Sequence, residues 1–148
     1  MPSLEESLFL SLRTIIKNMR KVLDKEILQF GIGHAEMRIL MIVFSLGDSL
    51  SQEYITSKLE VDRSNVGRSL KKLEKLEYIQ RSRDINDKRS FLVELTEKGR
   101  DLEKPLRAIK KRIEKTVSCN ITADESRELL KLLYKVESGM NEENYRKM

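Results

Sequence analysis

The chain contains one cysteine, Cys119, so it cannot close an internal disulfide. The lack of any cysteine framework suits a reducing cytoplasm, and a cytoplasmic location is the expectation. There is one histidine, His34. A zinc site would have to combine it with Cys119 and carboxylates, and neither a metal nor a cofactor is expected. Tryptophan is absent and aromatic residues make up 5% of the chain, which argues against base stacking on single strands as the main binding mode. No apolar run approaches the roughly 20 residues that span a bilayer. The first residues, MPSLEESLFLSLRTIIKN, carry acids near their start and no small-residue cleavage site, unlike a signal peptide. There is no Ser/His/Asp grouping, no P-loop and no GxGxxG, so no enzyme is expected. Internal repeats and low-complexity tracts are also missing.

What is present is charge. Of 148 residues, 39% are hydrophobic and 36% charged, which is polar for a compact monomer. It suits one mainly helical domain whose long helices bury part of their surface against a second copy. The net charge of +5 is concentrated. Residues 63–89 hold nine Lys/Arg and four Asp/Glu, which already accounts for +5. A positive field confined to one segment is the footprint of a surface facing phosphates.

The stretch 62–78, DRSNVGRSLKKLEKLEY, reads as a helix with Asp62 as N-cap and Gly67 as its one weak helix former. At 3.6 residues per turn Val66, Leu70 and Leu73 point one way. Ser64, Asn65, Arg68, Lys71, Lys72 and Lys75 point the other, with Glu74 and Glu77 off the centre of that face. One side is core; the other offers cations and hydrogen-bonding groups. A merely solvated charged face is the alternative reading.

The elements around it follow from spacing. Residues 4–30 form an amphipathic helix with Leu4, Leu8, Leu12, Ile15, Met19, Val22, Leu23 and Ile27 on its stripe, widened by Phe9 and Ile16. So wide a stripe predicts a contact between subunits; packing on its own domain is the alternative. Gly31-Ile32-Gly33 ends this helix. Residues 34–46 form a second helix, apolar nearly all round and therefore central. Gly47-Asp48-Ser49 is a turn. Ser51 caps a short helix with Tyr54, Ile55 and Leu59 as its buried set, and Glu60-Val61-Asp62 turns tightly into the cationic helix. Two short helices joined this way make a helix-turn-helix.

A β-ribbon follows, strands 79–84 and 89–96 around a tip at Ile85-Asn86-Asp87-Lys88, with Phe91, Val93 and Leu95 facing inward. It carries Arg81, Arg83, Lys88 and Arg89. A basic hairpin placed after such a helix is a wing able to reach a minor groove. Residues 97–118 form a long helix capped by Thr96, with Gly99 allowing close packing and Pro105 kinking it near Asp101. Thr122 and Glu125 form a capping box for a last helix bearing Leu129, Leu130, Leu132, Leu133, Val136 and Met140. The end, NEENYRKM, is expected to fray.

The run Asp84-x-x-Asp87-x-Arg89 followed by Leu95-Thr96-Glu97-Lys98-Gly99 resembles the wing signature of MarR-family winged-helix regulators. The preceding SxxYITSKLEVDRSNVGRSLKKLEKLEYIQR is similar to that family's helix-turn-helix. The resemblance covers nearly the whole chain. It implies a mainly α fold with a small β-wing: a DNA-binding lobe at 34–99, and dimerisation helices at 1–30 and 100–148. It further implies a homodimer on a pseudo-palindromic operator in double-stranded DNA, a repressor released by a small aromatic or anionic ligand. Lys88 stands where the family commonly has arginine, Glu77 replaces a common glycine and so takes positive φ, and Gly33 replaces a threonine N-cap.

On this reading Ser64, Asn65, Arg68, Lys71 and Lys72 enter the major groove. Ser51, Gln52, Arg63 and Lys75 hold phosphates, and Arg81, Arg83, Lys88 and Arg89 reach the flanking groove. Asp84, Asp87 and Arg89 stabilise the wing, with Asp84 and Arg89 pairing across its base. Lys17 and Arg20 sit where some relatives bind aromatic carboxylates, and Met37 and Met41 are core residues or the lining of an adaptable pocket. Two alternatives stand beside this reading. One is a redox switch at Cys119, whose other reading is packing. The other is a winged helix that binds protein, which needs exposed apolar anchors on the cationic helix.

Overall fold

The computed structural model describes residues 1–47, 49–60 and 62–148. The turns expected at Asp48 and Val61 therefore lie partly outside the described residues. The chain forms two compact units, Met1–Lys111 and Arg112–Met148.

The first unit opens with α1 (Leu4–Ile27), capped by Ser3, whose hydroxyl accepts the Glu6 N–H at 3.1 Å. The helix tightens into a 3₁₀ turn at Leu28–Phe30, where a continuous α-helix to residue 30 was expected, and Gly31 at φ 74° turns the chain. Helix α2 (His34–Leu46) is central, with Met37, Ile39, Leu40 and Val43 buried. Gly33 has no side chain to cap it; instead the Glu36 carboxylate accepts the Gly33 N–H at 2.7 Å. Strand β1 (Leu50–Ser51) leads into α3 (Gln52–Leu59) and then α4 (Arg63–Lys75). Strands β2 (Ile79–Arg83) and β3 (Phe91–Leu95) make the ribbon, and all three strands join one antiparallel sheet in the order β1-β3-β2. Ile79 faces Leu95 and Arg83 faces Phe91 in the β2–β3 register. The two-residue β1, paired through Leu50 and Val93, is too short to carry a periodic signal and was not foreseen.

The core gathers Ile27, Ile39, Leu40, Val43, Ile55, Leu70, Leu73, Ile79, Val93 and Leu106, all essentially inaccessible to water. Tyr54, expected in it, is instead exposed, with the Lys58 ammonium over its ring at 5.4 Å. Of the expected inward set on the wing, Val93 and Leu95 are buried and Phe91 is only half-buried.

The long helix expected after the wing is two: α5 (Glu97–Asp101) and α6 (Glu103–Val117). Pro105 cannot donate to the Asp101 carbonyl, and the break falls where that bond would be. On α1 the apolar stripe is uncovered: Leu4, Leu8, Phe9, Ile15, Ile16 and Val22 are each more than half exposed, and only Ile27 is buried.

In the second unit α7 (Ala123–Gly139) begins with the expected capping box: Glu125 accepts the Thr122 N–H at 2.7 Å and Thr122 accepts the Glu125 N–H at 3.1 Å. No residue of α7 is buried, so Leu129, Leu130, Leu132 and Val136 stand open to solvent. The tail, expected to fray, forms a further short helix. Asn141 caps a final helix α8 (Glu142–Lys147), laced by i,i+4 pairs between Glu142 and Arg146 and between Glu143 and Lys147. No single described helix is long and apolar enough to cross a membrane; α1 with its 3₁₀ turn and α2 meet that test only together, bent by 75°.

Candidate nucleic-acid interface

Helix α4 is built from its ends inward. Asp62 caps it, accepting the Ser64 N–H at 3.3 Å and the Ser64 hydroxyl at 2.8 Å. Val66, Leu70 and Leu73 seat its back face, each at most 2% exposed. At its C-terminal end Glu77 adopts φ 64°, the left-handed conformation expected there. The freed carbonyls are taken up from the start of α5: Thr96 Oγ1 donates to the Glu77 carbonyl at 2.5 Å and Lys98 Nζ to the Leu76 carbonyl at 2.9 Å. Tyr78 ties the same corner to α1's end, its hydroxyl donating to the Phe30 carbonyl at 2.8 Å. Helix α3 ends in a second left-handed residue, Glu60 at φ 52°, and the Arg38 guanidinium caps the Leu59 carbonyl at 3.2 Å. These fixtures present one face of α4 rigidly to solvent.

That face holds Arg63, Ser64, Asn65, Arg68, Lys71 and Lys75, all exposed. Arg68 donates to the Asn65 carboxamide, so two hydrogen-bonding side chains are pre-arranged side by side. Arg63 meets Glu53 at 3.4 Å with both side chains well exposed, a pair worth about 0–1 kcal/mol and easily exchanged. Ser51 spends its hydroxyl capping α3 through the Tyr54 N–H at 3.1 Å, and Gln52 faces Arg81 at 3.4 Å. No large apolar side chain lies among the outward residues of α4, so the anchors a protein-binding face needs are missing from it.

Two assigned cations are engaged by carboxylates. Arg81 is turned inward, its side chain 16% exposed, and its Nε donates to Glu74 at 2.5 Å. It braces the wing against α4. Lys72 is half-exposed, and its Nζ lies 3.4 Å from the nearly buried Glu36 carboxylate. Burial alone would raise the Glu36 pKa; the Gly33 N–H, the Ser69 hydroxyl and the Lys72 ammonium outweigh it and hold the group below the ordinary carboxylate value.

The wing is fixed differently from the expected Asp84–Arg89 ion pair, which does not form among the described residues. Asp84 accepts the Asn86 N–H at 2.9 Å, and Asp87 accepts the Arg89 N–H at 3.0 Å. Both aspartates thus serve as Asx turns. Arg83, assigned to the groove, is a clamp: its Nη1 donates to the Lys88 carbonyl at 2.6 Å while its guanidinium lies over Phe91 at 5.1 Å. Its position opposite Phe91 in the register was the available clue. Lys88 and Arg89 are left exposed on the tip and its return.

The four candidate ligand residues do not converge. Lys17 and Arg20 are exposed on α1, Met37 is buried in the core and Met41 is half-buried. A cleft of about 300 Å³ opens instead between α2 and α4, with Ile39, Leu59 and Val66 as its apolar part and Arg38, Arg68 and His34 at its polar side. His34 Nδ1 is buried there without a hydrogen-bond partner among the described residues. Burial lowers the imidazole pKa below its ordinary 6.5, and the Arg20 and Arg38 charges lower it further against the pull of Asp24. The unfolded chain therefore takes up this proton first as pH falls through 6.5, and the folded state loses stability over that range. Thermal unfolding should show a lower midpoint at about pH 5.5 than at about pH 7, with His34→Gln flattening the difference. An equal fall in the variant contradicts the assignment. Cys119 is exposed.

A tri-helical lobe with a basic outward helix and a stapled β-hairpin beside it defines a winged helix-turn-helix protein of the DNA-binding class. Comparison with known proteins narrows this. The MarR family model matches residues 32–91. An HTH-type transcriptional regulator of Bacillus subtilis strain 168, YdgJ, is 31% identical over 111 residues, covering 75% of this chain and 67% of the relative. The chain belongs to the MarR family of transcriptional regulators. The fold is shared with many solved structures. The organohalide-sensing regulator RdhR-CbdbA1625 in its 2,4-dichlorophenol-bound form aligns with a TM-score of 0.82 at 21% identity, over 95% of this chain and 83% of that one. A cysteine-to-serine mutant of MarR from E. coli, complexed with operator DNA, aligns at 0.75 and 24% identity, over 88% and 93%.

Proposed function

We propose that the chain acts as a cytoplasmic homodimer that reads a pseudo-palindromic operator through α4 and represses until a small ligand releases it. The observation that carries this is the division of α4: a back face of Val66, Leu70 and Leu73 sealed in the core, and a front face of Asn65, Arg68, Lys71 and Lys75 open to solvent. Arg68 and Asn65 read base edges, Lys71 enters the groove beside them, and Ser64 approaches from the helix start. Arg63, Lys75, Gln52 and the amides at the start of α3 hold phosphates. Lys88 and Arg89 extend the contact toward the flanking minor groove.

Dimerisation is supported by the uncovered apolar stripes on α1 and α7, since contiguous exposed apolar surface marks an interaction site. A small aromatic anion suits the α2–α4 cleft, where apolar residues adjoin two guanidinium groups. RdhR-CbdbA1625 binds a dichlorophenol, which supports an aromatic ligand here. Because Arg68 borders both the cleft and the front face, an occupant of the cleft competes with DNA for it.

The test is selection of bound duplexes from random DNA with the purified protein, followed by Arg68→Ala on the recovered operator and a scrambled duplex. Loss of one base-reading pair should cost about 1–3 kcal/mol on the operator and much less on the scrambled sequence. Equal losses on both would reject base contact by Arg68. Affinity unchanged by peroxide would reject a redox switch at Cys119.

A further inference from the structure

We propose that Glu36 is a positioning residue for the DNA interface: it holds Lys72 against the start of α2 and so removes one cation per subunit from the phosphate-contacting set. This rests on α4 being the DNA-binding helix. The geometry makes Lys72 unlike its neighbours. Lys71 and Lys75 are exposed on α4 and have no partner among the described residues. Arg63 pairs with Glu53, but both side chains are more than 60% exposed, and water readily replaces either partner. Lys72 instead pairs with a carboxylate whose side chain is 9% exposed. The acid cannot turn away, because the oxygen that faces Lys72 also accepts the Gly33 N–H at 2.7 Å. Removing the ammonium would leave a nearly buried charge with neutral partners only, a far worse state than an unpaired surface acid. A DNA phosphate would have to draw Lys72 off that site while meeting the field of Glu36 itself. Lys72 therefore stays with Glu36, and the pair ties the last turn of α4 to the first turn of α2.

Glutamine at position 36 separates the charge from the cap, since its amide oxygen still accepts the Gly33 N–H. The experiment measures binding of the full chain to a random-sequence duplex of about 30 bp across a salt series. Glu36→Gln should steepen the slope of log K against log salt by about 0.9 per subunit and strengthen binding roughly tenfold per subunit at about 0.1 M salt. Lys72→Gln alone should leave the wild-type slope unchanged; in the Glu36→Gln background it should restore that slope. A merely structural role would alter the melting temperature without this pattern.

A slope unmoved by Glu36→Gln, or lowered by Lys72→Gln in the otherwise wild-type protein, would overturn the proposal. Should Lys72→Gln fold poorly around its unpaired Glu36, the Glu36→Gln slope decides alone, and the reverse holds if Glu36→Gln folds poorly. Wild-type protein that binds no duplex would instead overturn the DNA-binding reading beneath it.

Discussion

Raising the salt from about 50 to about 200 mM should weaken operator binding by about 10³-fold or more. In the proposed dimer each subunit would offer Arg63, Lys71, Lys75, Lys88 and Arg89 as exposed cations, enough to neutralise on the order of six to ten phosphates. Every neutralised phosphate releases condensed counterions, and dilute salt rewards that release. Fluorescence anisotropy on the selected operator would give the slope. A loss of less than tenfold over this range would mean that few of these cations meet phosphate, and that binding rests on other contacts.

Gly99→Ala should destabilise the protein by about 1–3 kcal/mol, seen as a melting temperature several degrees lower. A Cβ at Gly99 would lie 1.9 Å from the Tyr78 carbonyl oxygen and 3.2 Å from Leu95 Cδ2. The first obstacle is backbone, so no side-chain rotation relieves it. That same carbonyl accepts the Thr96 N–H at 3.1 Å, and Thr96 in turn holds the left-handed Glu77 at the end of α4. Pushing the two segments apart therefore also loosens the recognition helix, and operator affinity should fall with stability. Gly139→Ala is the control, because nothing lies within 4 Å of a Cβ there. A melting temperature for Gly99→Ala equal to that of the control would show that the contact is not as tight as described.

Much of this architecture was legible in the residues because helices repeat every 3.6 residues. Val66, Leu70 and Leu73 against Arg68 and Lys71 could be separated by counting alone, and the caps at Ser51, Asp62, Thr96 and Thr122 follow from side-chain chemistry within a few residues of each helix start. Pro105 marked a break for an equally local reason. What could not be read depended on partners far apart in the chain. Arg81 is basic and on the wing, yet it is claimed by Glu74 and Gln52 from two helices. Lys72 lies on the cationic face, yet Glu36 holds it from 36 residues away. Asp84 and Arg89 were expected to pair by proximity, but backbone amides at the tip compete for the aspartates and win, being fixed in place by the turn itself. The α2–α4 cleft has no local signature, since its lining comes from three helices.

In the proposed complex two copies of α4 enter successive major grooves on one face of the duplex. Protection of guanine N7 from methylation on the selected operator tests it directly, because that atom lies in the major groove. Two protected patches are expected, symmetric about the operator centre and about one helical turn apart, both lost with Arg68→Ala. A single patch, or none while the protein remains bound, would contradict it.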